Sequence, residues 1–170
     1  MEVKLQQPGR REIDLLQMVR REGIKVGIEA KDWKDAIVKT GELMVKIGVA
    51  KPEYIDAMIK TVEEMGPYIV ITKHIALPHA RPEEGALEPA LVFVKLKKPI
   101  EFGNPDNDPV KLLIGLVATD SRSHTKALAQ LAKLLMQEEF TKRLLEAESE
   151  DEIYNLILEY VKRLKEREEK

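Results

Sequence analysis

Apolar residues recur at two spacings along this chain, and the switch between them sets helical flanks around a stranded middle. Residues 1–11, with Pro8-Gly9-Arg10-Arg11, read as a polar leader. Ile13, Leu15, Leu16 and Val19 fall three and four apart, which predicts a short amphipathic helix ending near Gly23. Ile24, Val26 and Ile28 then alternate with polar neighbours, predicting a brief strand over 24–29. Asp32 is placed to cap a helix that buries Trp33, Ala36, Ile37, Thr40, Met44 and Ile47 and stops at Gly48. Pro52 suits the first turn of another, with Ile55, Met58, Ile59, Val62 and Met65 as its stripe and Gly66-Pro67 as its stop. On this reading Met44, Met58 and Met65 are core filler.

From Tyr68 the period shortens. Strands are predicted over 68–72, 75–77, 90–96 and 111–118, the last two so continuously apolar that both their faces should be covered. Pro99 to Pro109 is a turn-rich connection, in which Asp106 and Asp108 read as turn formers because the EF-hand spacing is absent. After Asp120 the chain returns to helices. His124, Leu128, Leu131 and Leu135 share a face, with Ser121 and Ser123 as capping residues at its start. Phe140, Leu144 and Leu145 mark a shorter helix, and Ser149 with Glu152 forms a capping box for the last. That helix buries Ile153, Leu156, Ile157, Tyr160, Val161 and Leu164, and residues 165–170 read as a frayed, charged end. Helices before, strands between and helices after predict one domain over 12–164, an α/β three-layer α/β/α sandwich around a mixed sheet.

Composition narrows the chemistry. No cysteine is present among the 170 residues, which removes thiol nucleophiles, disulfides and cysteine-based metal sites. The start has no apolar signal region and no stretch reaches the length of a membrane span, so a cytoplasmic protein is expected. A balance of 28 Lys+Arg against 30 Asp+Glu carries no electrostatic footprint for nucleic acid.

His79 follows Pro78 where an apolar run meets a turn, so its imidazole should sit on a rigid sheet rim open to a visitor. Neutral imidazole is a usable nucleophile near neutral pH. His124, in the first turn of a helix that follows a buried strand, should reach the same rim, where free backbone amides attract anions. Ser121, Ser123 and Thr125 add hydroxyls, and Arg81 or Arg122 could add charge-assisted hydrogen bonds. Such a group could accept a phosphoryl group and hold it. Two alternatives fare worse. His74 and His79 are five apart and would face opposite sides of one strand, and neither HExxH nor a carboxylate ligand supports a metal. His74 reads as a surface or supporting residue. No Gly-x-Ser-x-Gly elbow supports a serine nucleophile.

Ile75-Ala-Leu-Pro-His79 is similar to the active-site signature of the mannitol/fructose type of IIA proteins of the bacterial phosphoenolpyruvate-dependent sugar phosphotransferase system. Ala30-Lys-Asp-Trp33-Lys-Asp-Ala36-Ile37, Tyr54-Ile-Asp-Ala57-Met58, Gly66-Pro-Tyr-Ile-Val-Ile71, His79-Ala-Arg-Pro-Glu-Glu-Gly85, Phe102-Gly103 with Asp108-Pro-Val110, and Asp120-Ser-Arg-Ser-His124 resemble its ascorbate-type branch. The resemblance implies that His79 accepts a phosphoryl group from the phosphocarrier HPr, on Nε2, and passes it to a cysteine of a IIB partner. Through IIB it would serve a membrane IIC permease. It implies that His124 hydrogen-bonds the phosphoryl oxygens or steadies the His79 ring, and that neither ATP, Mg²⁺ nor another cofactor is needed. Mannitol-type members carry an arginine that would fall near Thr61, for which Arg81 is the candidate substitute, and Thr72 stands where the broad signature has Gly or Ala. A nitrogen-type regulatory relative, whose phosphohistidine controls a kinase or transcription factor, is the alternative. The sugar and a homodimer stay open.

Overall fold

The computed structural model describes residues 14–168, so the leader predicted over 1–11 lies outside the described residues. Helix α1 (Leu15–Met18) leads into strand β1 (Val19–Ile28), followed by α2 (Trp33–Lys46), α3 (Glu53–Met65) and the short strands β2 (Val70–Thr72) and β3 (Ile75–Ala76). A 3₁₀ turn at Pro82–Glu84 precedes β4 (Ala90–Ile100) and β5 (Val110–Val117), and α4 (Ser121–Leu135), α5 (Glu138–Glu146) and α6 (Glu150–Glu168) complete the chain. The five strands lie in the order β1-β4-β5-β3-β2. Pairing is parallel for β1 with β4 and for β3 with β5, and antiparallel for the other two neighbours, so the sheet is mixed, as expected.

Alternation along the central strands assigns the two faces. Leu91 and Phe93 of β4 and Leu112, Ile114 and Leu116 of β5 pack with α1, α4, α5 and α6. Ala90, Val92 and Val94, with Leu113 and Val117, pack with α2 and α3. These runs are apolar throughout because helices cover both sides. Gly115 lets α2 approach closely, since a Cβ there would stand 2.4 Å from Met44 Cε and 2.9 Å from Thr40. The three-layer sandwich follows.

Four local expectations are corrected. The first helix does not run to Gly23; it ends at Met18, and Val19 already pairs with Leu91. Only two positions separate Leu91 from Phe93, whereas five separate their partners Val19 and Ile24, so Arg20 to Gly23 form a bulge whose extra residues imitate helical spacing. In α3 the fully covered line is Tyr54, Met58 and Val62, four apart, while Met65 is 63% exposed rather than core filler. Asp120, and not Ser121 or Ser123, caps α4. Of the end expected to fray, residues 165–168 continue α6, and Lys165 lies 3.4 Å from Asp14 across the layer.

Candidate functional site

β3 is short, but its ladder does not stop there. Leu116 donates its amide to the Pro78 carbonyl at 3.0 Å, and His79 bridges Leu116 in the parallel sense. Pro78, without an amide, gives its acceptor to β5 and sends the chain off the sheet, which leaves His79 on the rim. The imidazole Nδ1 lies 2.7 Å from the Leu77 carbonyl. A carbonyl only accepts, so Nδ1 carries the hydrogen and Nε2 keeps its lone pair.

Asp120 caps α4 and puts His124 in its first turn, where the His124 amide donates to the Asp120 carbonyl at 3.0 Å. The two imidazoles, 45 residues apart in sequence by their numbers, stand with ring centroids 5.2 Å apart and planes at 54°. Burial, and next the neighbouring His79, hold the His124 pKa below its ordinary 6.5, which favours the neutral ring. Its Nδ1 is buried without a hydrogen-bond partner, the cheaper arrangement when that atom is a lone pair and the proton is on Nε2. His124 is therefore a neutral donor beside the His79 ring.

Both rings line a cleft of about 450 Å³. Lys60, Thr61, Glu64 and Met65 of α3 form one wall, and Arg81 and Glu84 of the loop after His79 form another. Arg81 Nε lies 3.4 Å from Glu84 Oε1 and 3.8 Å from Glu83 Oε2, and its main-chain amide donates to Glu84 Oε1 at 2.8 Å. Donation from the Arg81 amide, more than the guanidinium, keeps the Glu84 carboxyl below the usual carboxylate range, although burial opposes it. Arg81 is at the site but in the grip of carboxylates. The arginine missing at Thr61 leaves a hydroxyl that bonds back to Ala57 at 2.9 Å, with Lys60 beside it on the same wall and 3.9 Å from Glu64.

Not every predicted group reaches the cleft. Ser121 and Thr125 are exposed near the start of α4, outside the lining. Ser123 also lies outside it and faces its own cap, donating its amide to Asp120 Oδ1 at 2.8 Å and its hydroxyl to Oδ2 at 3.2 Å. The Ser123 amide first, with further donation from Arg122, holds the Asp120 carboxyl below its ordinary value. An internal anion thus occupies amides that were expected to receive a visiting one. His74 sits away from the cleft in the β2–β3 turn, with Nδ1 donating to the Pro109 carbonyl at 2.8 Å.

Sequence reasoning gave no role to Lys60, Glu64, Glu84 or Tyr54, and named the last two only within stretches that resemble the family. Lys60 and Glu64 were hidden among the charges of a solvated helix face; only the step of four toward Glu64 pointed to a shared side. Among the described residues no three His, Cys, Asp or Glu side chains gather into a metal site, and no helix is long and apolar enough to cross a membrane.

Comparison with known proteins agrees with this geometry. The profile of the family described as phosphoenolpyruvate-dependent sugar phosphotransferase system, EIIA 2, matches residues 17–169. The ascorbate-specific PTS system EIIA component of Escherichia coli (strain K12) is 38% identical over 141 residues, 82% of this chain and 92% of that protein. The solution structure of the mannitol-specific cryptic phosphotransferase enzyme IIA CmtB from Escherichia coli superposes with a TM-score of 0.76 at 36% identity, over 85% of this chain and 98% of that one. The Escherichia coli enzyme IIA for mannitol, solved in complex with phosphorylated enzyme IIB, superposes with a TM-score of 0.70 at 30% identity, over 81% of this chain and 94% of that one.

Proposed function

The chain belongs to the EIIA 2 family of the phosphoenolpyruvate-dependent sugar phosphotransferase system, as a phosphocarrier, and from that premise we propose that it carries the phosphoryl group on Nε2 of His79. The observation that carries the assignment is the 2.7 Å hydrogen bond from Nδ1 to the Leu77 carbonyl, which fixes the tautomer with the Nε2 lone pair free at the cleft. Nε2 attacks the phosphorus of phospho-HPr; the new N–P bond forms as the donor's N–P bond breaks, and that bonding pair returns to the donor ring nitrogen. His79 then has both nitrogens substituted and gains positive charge, which the Leu77 carbonyl dipole offsets. Phosphoryl transfer of this kind asks the protein for position and for stabilisation of charge on the equatorial oxygens. A proton on His124 Nε2, 5.2 Å away ring to ring, supplies one donor, and Lys60 and Arg81 supply positive charge at the walls.

Onward transfer goes to a cysteine thiolate of a IIB partner, which serves a membrane IIC permease. The thiolate makes the S–P bond, the His79 N–P bond breaks and its electrons return to Nε2. The relative solved as a IIA–IIB complex supports a IIB acceptor, and the ascorbate-specific relatives support an ascorbate-like sugar at the end of the chain. Incubation with phosphoenolpyruvate, enzyme I and HPr, followed by intact mass and NMR of the ring, tests the reading. One phosphoryl group on Nε2 of His79, discharged when IIB is added, is the expected result. A group that stays on the protein in the presence of IIB would instead favour the regulatory role, and an unlabelled protein would exclude both.

A further inference from the structure

Tyr54 is a tyrosine with no exposed surface, in the first turn of α3, and the chemistry above does not use it. Its ring belongs to the apolar line with Met58 and Val62, but its hydroxyl reaches out of that line to the main chain on both sides of the His79 ladder. The oxygen lies 3.1 Å from the Ala80 amide, which donates to it, and 2.9 Å from the Leu116 carbonyl, which accepts from it. The Ala80 carbonyl, at 3.1 Å, is a second acceptor for the same proton. Burial pushes its pKa up to about 12, so the group is a neutral donor throughout the working pH range.

Those partners are the residue directly after His79 and the β5 residue that His79 itself bridges. Leu116 also donates to Pro78, so Pro78, His79 and Ala80 are each tied to one position of β5, the last through the Tyr54 hydroxyl. The bend from Leu77 to Ala80 that lets Nδ1 reach the Leu77 carbonyl is held at its far end by this contact. Ala80, 4% exposed, has its amide turned inward toward the hydroxyl, and a buried donor without an acceptor is unfavourable enough to move the backbone. A shift of the backbone there redirects the Nε2 lone pair.

We infer that Tyr54 is a positioning residue for phosphoryl transfer: through the Ala80 amide and the Leu116 carbonyl its hydroxyl sets the backbone that aims Nε2 of His79. The inference rests on His79 as the acceptor. Tyr54→Phe keeps the ring and removes only the hydroxyl. Transfer from phospho-HPr to the folded variant should slow by roughly tenfold to a hundredfold in kcat, with little change in KM, because reacting-atom alignment is lost while the docking surface is kept. Nitrogen shifts of the His79 ring should show the Nδ1–H tautomer losing its dominance. Tyr160→Phe, which removes a buried hydroxyl from the opposite layer, should change neither. Wild-type transfer by Tyr54→Phe overturns the inference, and so does slowed transfer with an unchanged His79 ring. Should Tyr54→Phe fail to fold, hydrogen exchange of the Ala80 amide in the wild type decides: slow exchange supports the clamp, and exchange at the rate of an open loop overturns it. The acceptor assignment fails separately, by persistence of label in His79→Ala.

Discussion

Histidines stand just beyond both ends of β3, and each gives its Nδ1–H to a main-chain carbonyl, His74 to Pro109 at 2.8 Å and His79 to Leu77 at 2.7 Å. The local chemistry is nearly the same, and the surroundings are not. His74 takes a left-handed backbone (φ 71°) in a turn held against residues 104–109, where Asn104 and Asn107 grip the Val70 carbonyl and Asp108 gathers the amides of Phe102, Gly103 and Asn104. His79 stands where β5 ends and α4 begins, with a second imidazole 5.2 Å away and a cleft before it. One hydrogen bond fixes a tautomer at both ends of the strand. A site for chemistry needs neighbours as well, and of these two histidines it is His79, at the C-terminal end of β5, that has them.

Substitutions can break this contrast, and the largest effect belongs to the proposed acceptor. His79→Ala should abolish phosphoryl labelling from HPr while circular dichroism stays native; a labelled variant would move the acceptor to another ring. Next comes His124→Ala, which removes the donor proposed to meet the transferred oxygens and should lower the transfer rate by roughly 10²–10³-fold without abolishing the acceptor. A normal rate would reduce His124 to a residue of the helix start. Arg81→Ala should cost no more than about fivefold and lose even that at high salt, since the guanidinium is 75% exposed and already faces two carboxylates. His74→Ala, the smallest, should leave transfer unchanged and lower stability by about 1 kcal/mol, read from denaturant midpoints. A transfer defect there would mean that the two ends of β3 are functionally joined.

A pH series sharpens the same contrast. The folded pKa of His124 lies below its unfolded value of 6.5, so the unfolded chain takes up the proton first as pH falls. Its contribution to stability is whole above 6.5 and is lost as pH falls from there through the depressed folded value. His124→Asn should flatten that part of the profile of urea midpoint against pH, and a profile identical to that of the wild type would remove His124 as its source.

Legibility in the sequence followed the range of the interactions. β4 and β5 could be read because burial on both faces writes a continuous apolar run, and α2 because Asp32 accepts from the Asp35 amide within its own turn at 2.8 Å. His79 could be read because Pro78 beside it constrains the backbone locally. The α1–β1 boundary could not, since the bulge at Arg20 to Gly23 exists only through the pairing with β4 and places apolar residues at a misleading spacing. Met65 carries an apolar side chain at a helical position yet lines the cleft, because α3 ends beside the rim and its last residue is left 63% exposed there. Tyr54 was hidden for the same reason of range. Its partners, Ala80 and Leu116, lie 26 and 62 residues away, and in the chain it stands outside the predicted stripe of its helix, named only within a stretch that resembles the family.

The cap of α4 bears on what this protein ignores. With the Asp120 carboxylate drawn up to the amides of Arg122 and Ser123, loose inorganic phosphate arriving at that helix meets a like charge instead of a row of waiting donors. The pull that this helix start exerts on anions is therefore satisfied inside the chain, by its own cap.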